Sequence, residues 1–178
     1  MRTSWAAKLT LPVGERDHIQ GLATAPITLV EYGDYECPYC GQAYPVVKEI
    51  QKRLGKRLRF VFRNFPLSTM HPHAEHAAEA AEAAGAQAKF WEMHDALYGN
   101  QEALDDGDLV EYAAAVGLDQ TRFTGEMAKH THAARVREDF MSGVRSGVNG
   151  TPTFFINGVR YDDSPDLKTL LNAMEQPS

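Results

Sequence analysis

The chain's only two cysteines stand three positions apart, as Cys37-Pro38-Tyr39-Cys40. They follow the apolar run Ile27-Thr28-Leu29-Val30-Glu31-Tyr32, which reads as a buried strand. They precede Gln42–Leu54, where Val46, Val47, Ile50 and Leu54 recur at helical spacing. Two thiols therefore sit where a strand hands over to the first turn of a helix. With Cys37 as the N-cap, Pro38 takes the first helical position, where a missing N–H costs nothing. The amide groups of Tyr39 and Cys40 then point at the Cys37 sulfur and, with the helix dipole, favour an anion there. Such a thiol falls from a pKa of about 8.5 to roughly 3.5–7.5. Cys40 lies one turn deeper and close enough to bridge, so the pair is suited to attack a disulfide, form a mixed disulfide and resolve it. A purely structural bridge would close so short a loop that little chain entropy is removed. Structural zinc wants four ligands, and no second cysteine pair exists to supply them. The reading is a redox-active dithiol that carries its own electrons, with no cofactor and no metal.

The apolar fraction of 43% and charged fraction of 24% belong to a globular chain of one ordinary domain with an insertion. A net charge of −6 leaves no basic footprint for nucleic acid. No apolar run reaches membrane-spanning length. The segment Met1–Thr10 lacks the apolar stretch of a signal peptide, so the expected location is the cytoplasm; a chain whose leader had been removed, and which worked in the periplasm or outside the cell, would read the same.

In chain order, residues 1–25 read as an N-terminal arm, punctuated by Pro12, Gly14 and Gly21 and without apolar periodicity, which leaves two placements open: along the sheet, or mobile. Residues 26–65 read as strand, helix, strand. Gly55 closes the helix, Leu58 to Phe62 form the second strand, and Pro45 should kink the helix. A helix crossing between these strands makes them parallel. From His71 to Val148 the pattern is helical throughout, with four or five helices and no strand. Asp106 reads as the N-cap of a helix carrying Leu109 and Tyr112, Asp119 as the N-cap of the next with Phe123 and Met127 inward, and Val136, Phe140 and Val144 mark another helix. The chain then returns to β: Thr153–Ile156 and Val159–Tyr161 flank Asn157-Gly158, a strong hairpin signal. Ser164-Pro165 reads as the N-cap and first residue of a last helix burying Leu167, Leu170, Leu171 and Met174. The fold class is α/β, β-α-β then β-β-α, with a mixed sheet.

This order, with Cys-x-x-Cys opening the first helix, resembles the thioredoxin fold, and the helical block between its halves resembles the DsbA-like branch. Glu31 stands six residues before Cys37, where that family keeps a buried carboxylate under the dithiol. Pro45 matches its kink-forming proline, and Gly150-Thr151-Pro152 opens the third strand where the family has its cis-proline. His71-Pro72-His73-Ala74 and Phe90-Trp91 resemble stretches of soluble, cytoplasmic DsbA-like proteins. The resemblance divides the chain into a thioredoxin-like first half at 26–70, a helical insertion at 71–147 and a second half at 148–178. It implies a thiol–disulfide oxidoreductase acting on protein or small-molecule disulfides. One position departs from the pattern: Tyr39 stands where periplasmic oxidants of this branch carry histidine, and it offers only a hydroxyl.

The expected catalytic residues are Cys37 as nucleophile, Cys40 as resolving thiol and Glu31 as proton acceptor for Cys40. A lone carboxylate in an apolar strand needs a raised pKa or a partner; at a sheet edge it would simply be solvated. Thr151, Pro152, Pro38 and Tyr39 are the expected substrate-binding positions. The resemblance gives Pro152 a cis bond against the dithiol, with Thr151 offering backbone groups to an extended substrate segment; a plain strand-starting proline is the alternative. Tyr35, Tyr39, Phe65 and Met70 are candidates for an apolar rim, although single residues of this kind are more often core or ordinary surface. His71, His73 and His76, with Glu75 and Glu79, read as a helix start rather than a metal motif. Expected partners are disulfide- or thiol-bearing proteins and a redox partner such as glutathione or a thioredoxin system. The rival readings are a non-catalytic redox sensor and metal handling by the cysteine pair with a histidine.

Overall fold

Strand residues alternate between the two faces of a sheet, and the alternation here fills two separate cores. In the strand Ile27–Gly33 (β2), Ile27 and Leu29 join one buried cluster, and Val30 and Tyr32 join the other. In Leu58–Asn64 (β3), Leu58, Phe60 and Phe62 join the first cluster and Val61 the second. A sheet apolar on both faces must be covered on both. The computed structural model, which describes residues 6–176, shows how this is done.

The sheet has five strands: His18–Gln20 (β1), β2, β3, Thr153–Ile156 (β4) and Val159–Tyr161 (β5). Their order is β1-β3-β2-β4-β5. β2 and β3 are parallel, joined by the helix Pro38–Leu54 (α1), and the other pairings are antiparallel. Asn157 and Gly158 make the β4–β5 turn with φ of 49° and 82°, the left-handed pair a two-residue hairpin requires.

Five helices follow β3: Ala74–Gly85 (α2), Phe90–Tyr98 (α3), Asp106–Ala115 (α4), Gln120–Ala128 (α5) and Ala133–Arg145 (α6). Leu167–Glu175 (α7) ends the described chain. α1, α7 and the insertion enclose the larger core. α6 covers the opposite face through Phe140, stacked on Phe65 at 4.3 Å between ring centroids. It comes so close that a Cβ on Gly143 would meet the Phe65 ring at 2.7 Å.

Several expectations need correction. Of the two placements open to residues 1–25, along the sheet or mobile, the described part takes the first. Residues 1–5 lie outside the described residues, but β1 extends the sheet beyond β3, and Lys8 bridges to Val159 at the other edge. Leu9, Val13 and Ile19 pack against the smaller core, and buried polar contacts add to this. Arg63, fully buried, donates to Asp17 Oδ1 at 2.8 Å, to the Leu11 carbonyl at 2.9 Å and to the Tyr32 hydroxyl at 2.9 Å. The last helix starts later than Ser164-Pro165: Asp166 is its N-cap, its carboxylate accepting from the Thr169 amide at 2.9 Å. α4 is capped by Asp105 in a reciprocal box with Asp108, so Asp106 is the first helical residue. Pro45 lies inside α1, where the sequence placed it.

Candidate active site

β2 ends in Gly33, and the loop Asp34-Tyr35-Glu36 delivers Cys37 as the N-cap of α1, with Pro38 at its first position. The loop is held from several sides. Asp34 accepts from the Glu36 amide at 2.8 Å, the Leu67 amide at 2.9 Å and His71 Nδ1 at 2.8 Å. Gln101, from the insertion, donates through Nε2 to the carbonyls of Tyr35 and Cys37, each at 2.9 Å. The Tyr35 hydroxyl meets His94 Nδ1 at 2.9 Å in the core. Burial drives His94 down to about 3 and pushes the Tyr35 phenol well up, so a neutral imidazole accepts from a protonated phenol.

Both cysteines are free thiols. Hydrogen bonding from Cys40 is the main reason Cys37 is lowered to about 5; burial opposes it, and the amides of Cys40 and Tyr39 assist. Cys40, deeper in the first turn, is pushed well above the ordinary thiol value by burial, then by its bond to Cys37 and the charges of Glu31 and Cys37. The two sulfurs thus divide into an easily ionised outer one and a protonated inner one, which is the division the helix-terminus argument requires.

Glu31 is 2% exposed and is not solvated at an edge. It pairs with Phe62 on one side and Phe154 on the other, and strand alternation puts it on the face that carries Leu29 and Phe62. Its Oε1 has no hydrogen-bond partner among the described residues. Burial, and then the Cys37 charge, raise it to about 8.

Thr151 and Pro152 reach the dithiol from the start of β4. Their peptide bond is cis, and the Cys37 thiol faces the Thr151 carbonyl at 3.5 Å. The Thr151 hydroxyl is buried. Tyr39 and Met70 are 68% and 70% exposed, but Tyr35 and Phe65 are core residues at 1% and 2%, so the rim expected from the sequence loses two of its four members.

The histidines near the start of α2 do not converge. His71 bonds Asp34, His73 bonds Glu36 at 3.0 Å, and His76 bonds Asp106 at 2.8 Å. Burial pulls His71 down, but the Asp34 carboxylate leaves it above its ordinary value. Asp34, His71 and Gln101 are site residues the sequence reading did not assign to the dithiol. Their partners lie 33 to 66 positions away, and no local pattern announces such contacts.

A profile of the family described as Thioredoxin matches residues 14–176. The chain belongs to the thioredoxin family. Among solved structures, a thioredoxin-like oxidoreductase from Silicibacter pomeroyi DSS-3 is 26% identical with a TM-score of 0.80, covering 91% of this chain and 92% of that one. Oxidised BdbD from Bacillus subtilis is 24% identical with a TM-score of 0.84, covering 96% and 97%. Alpha-DsbA1 from Wolbachia pipientis is 22% identical with a TM-score of 0.78, covering 94% and 92%. The thioredoxin-family chain therefore has the DsbA-like form of the fold. Its curated relatives bear a different name. The Na(+)/H(+) antiporter NhaA 1 of Salinispora arenicola is 48% identical over 167 residues, which is 93% of this chain and 26% of that protein. The Na(+)/H(+) antiporter NhaA of Herminiimonas arsenicoxydans is 41% identical over 161 residues, 90% of this chain and 25% of that protein. The chain spans about a quarter of the length of these curated relatives. No described helix is long and apolar enough to cross a membrane.

Proposed function

We propose that this chain is a thiol–disulfide oxidoreductase working through Cys37 and Cys40. The observation that carries the reading is the placement of the two sulfurs: Cys37 caps α1 against the cis Thr151–Pro152 bond, Cys40 is buried in the first turn, and the Glu31 carboxyl is buried with one oxygen unpartnered among the described residues; this setting lowers Cys37 to about 5 and raises Cys40 and Glu31, the latter to about 8. The Cys37 thiolate attacks one sulfur of a substrate disulfide. A Cys37–substrate bond forms, and the substrate's other sulfur leaves as a thiolate. Cys40 then gives up its proton and attacks the Cys37 sulfur; the internal disulfide closes and the second substrate thiolate departs. Two electrons pass from the dithiol to the substrate, and the same steps reversed oxidise a substrate dithiol.

Glu31 is the acceptor for the Cys40 proton. Its pKa is raised by burial and by the Cys37 charge. Formation of the mixed disulfide removes that charge, so Glu31 becomes a carboxylate more readily at the step that needs one. Thr151 and Pro152, with the exposed Tyr39 beside Pro38, are the surface on which an extended substrate segment would lie. Substrates are protein or small-molecule disulfides, and glutathione or a thioredoxin-type system resets the pair. In the cytoplasm, where thiols are kept reduced, the pair runs as a reductant.

Turnover decides the reading. The wild-type chain should reduce a protein disulfide with a thiol co-reductant, Cys37→Ser should be inactive, and Cys40→Ser should accumulate the mixed disulfide. Absence of a trapped adduct in Cys40→Ser would remove the proposal. The antiporter relatives favour a second reading, a redox-sensing domain serving a transporter; it predicts reversible oxidation of the dithiol with negligible turnover.

A further inference from the structure

A second cluster of chemistry-bearing side chains, containing neither cysteine, lies in the helical insertion. His76 and Glu79 are three residues apart on α2, which places them on one helix face. His130 arrives from the turn between α5 and α6. Ligand-capable atoms of all three lie within 4.8 Å of one another. The Glu79 carboxylate faces His130 Nδ1 at 3.1 and 3.3 Å. The rings of His76 and His130 are 5.6 Å apart at their centroids.

Three features make this more than a surface pairing. First, the Glu79 side chain is only 2% exposed, and among the described residues its one side-chain partner is His130, itself 56% exposed. A carboxylate taken from water needs positive charge close by, and a half-solvated imidazole is a weak source of it. Second, His76 is already held by a carboxylate: Asp106 Oδ1 bonds its Nδ1 at 2.8 Å. Carboxylates that fix the far nitrogen of a ligating imidazole recur at metal centres. Third, His130 has a φ of 51°, in the left-handed region that side-chain-bearing residues seldom adopt. The turn holds it there, its amide bonding the Met127 carbonyl at 3.2 Å and its own carbonyl accepting from Ala133 at 3.1 Å.

We propose that His76, Glu79 and His130 form a binding site for a divalent cation of the zinc class. Two imidazoles and one carboxylate suit zinc, cobalt, nickel or copper, whereas calcium and magnesium demand oxygen ligands. The three protein ligands leave a position open. Both histidines border a cleft of about 300 Å³, lined also by Asp106, Leu109 and Phe123, with room for a water or a small ligand. The site stands apart from the dithiol reading, and its failure would leave that reading intact.

The test is zinc titration of the oxidised protein by calorimetry, with the Cys37–Cys40 bond closed so that thiolates cannot compete for the ion. One equivalent should bind. Cobalt should give a spectrum of nitrogen and oxygen ligation without a thiolate charge-transfer band. His76→Ala and His130→Ala, both at exposed or half-exposed positions, should each weaken binding at least about tenfold, as outer-group losses alone already cost about 10–100-fold, and Asp106→Asn should weaken it by an amount in that range. Zinc should raise the melting temperature of the wild-type chain and not of His130→Ala, whose melting in chelator should match wild type. No binding by the oxidised chain, binding that persists unchanged in both histidine variants, or binding seen only in the reduced chain with a thiolate band would each overturn the proposal.

Discussion

The Cys37 sulfur lies 3.5 Å from the carbonyl oxygen of Thr151, a residue 114 positions further along the chain. A carbonyl oxygen repels a thiolate, so this contact alone would keep Cys37 protonated. The hydrogen bond from Cys40 is the largest influence in the other direction, and the amides at the start of α1 add to it. Cys37 alkylation should therefore show a half-maximal rate near pH 5, while Cys40 stays unreactive through neutral pH. Cys40→Ala removes the main donor and should carry the midpoint of Cys37 upward. Cys40→Ser keeps a donor and should move it less. Equal midpoints in the two variants would show that the neighbouring sulfur is not the cause.

The same ionisations fix how stability varies with pH. Folded Cys37 loses its proton near 5 and the unfolded thiol near 9.0. Between those values the unfolded chain holds the extra proton, so this group stabilises the reduced protein increasingly as pH rises, and the contribution is lost as pH falls through 5. Glu31 acts in the opposite sense: the folded carboxyl keeps its proton to about 8 and the unfolded one only to 4.5, so stability declines with rising pH across that window. The disulfide form lacks the Cys37 contribution. The melting temperature of the reduced chain minus that of the oxidised chain should therefore increase from pH 5 to pH 8. A difference independent of pH would contradict a stabilised thiolate.

Glu31→Gln separates the chemical role of this side chain from its structural cost. The amide cannot accept the Cys40 proton but fills nearly the same space. It should leave Cys37 attack on a disulfide nearly unchanged and slow release of the mixed disulfide by roughly 10²–10⁴-fold, the usual range for losing a positioned base. It should also remove the decline in stability between pH 4.5 and 8. If release keeps its rate while the pH slope of stability disappears, Glu31 titrates but does not move the proton.

What was legible in the sequence is local. The strand before Cys37, the proline at the first helical position, the Asn157-Gly158 turn and the periodic helices of the insertion are each set by neighbours a few residues away. Helix starts slipped by one or two residues where adjacent acidic or hydroxyl residues compete to cap, as with Asp105 against Asp106 and Asp166 against Ser164. Within the site, the cysteine pair and Glu31 stand out because their residue types are unusual where they occur. Asp34, His71 and Gln101 do not, since each matters through a partner that only the folded chain brings near. Tyr35 and Phe65 show the same limit: residue type alone leaves rim, core and ordinary surface open for a loop aromatic, and here the Tyr35 ring packs in the core against Phe62 and Tyr98 at 5.2 and 4.9 Å.

The segment that gave least signal makes the firmest polar contact, and this can be tested. Arg63 and Asp17 have side chains with no exposure and share two bonds, of 2.8 and 3.0 Å. Burial raises the Asp17 pKa, yet the Arg63 contact overcomes this and leaves it below the ordinary carboxylate value. Removing one partner strands the other charge inside the protein, at a cost of about 3–5 kcal/mol. Arg63 also holds the Leu11 carbonyl and the Tyr32 hydroxyl, so Arg63→Met leaves those acceptors unpaired as well as Asp17. Asp17→Asn and Arg63→Met should each lower the denaturant midpoint sharply. The Asp17 contribution should itself fade as pH falls through the depressed pKa, because the folded state must then take up a proton that the unfolded chain already holds. The double variant should be less damaged than the sum of the two, since no buried charge is left alone. Hydrogen exchange of the β1 amides should quicken in both single variants, because β1 is a short edge strand paired only with β3. Unchanged exchange in β1 together with a lowered midpoint would mean that the pair supports the core beneath it and does not fasten the N-terminal strand.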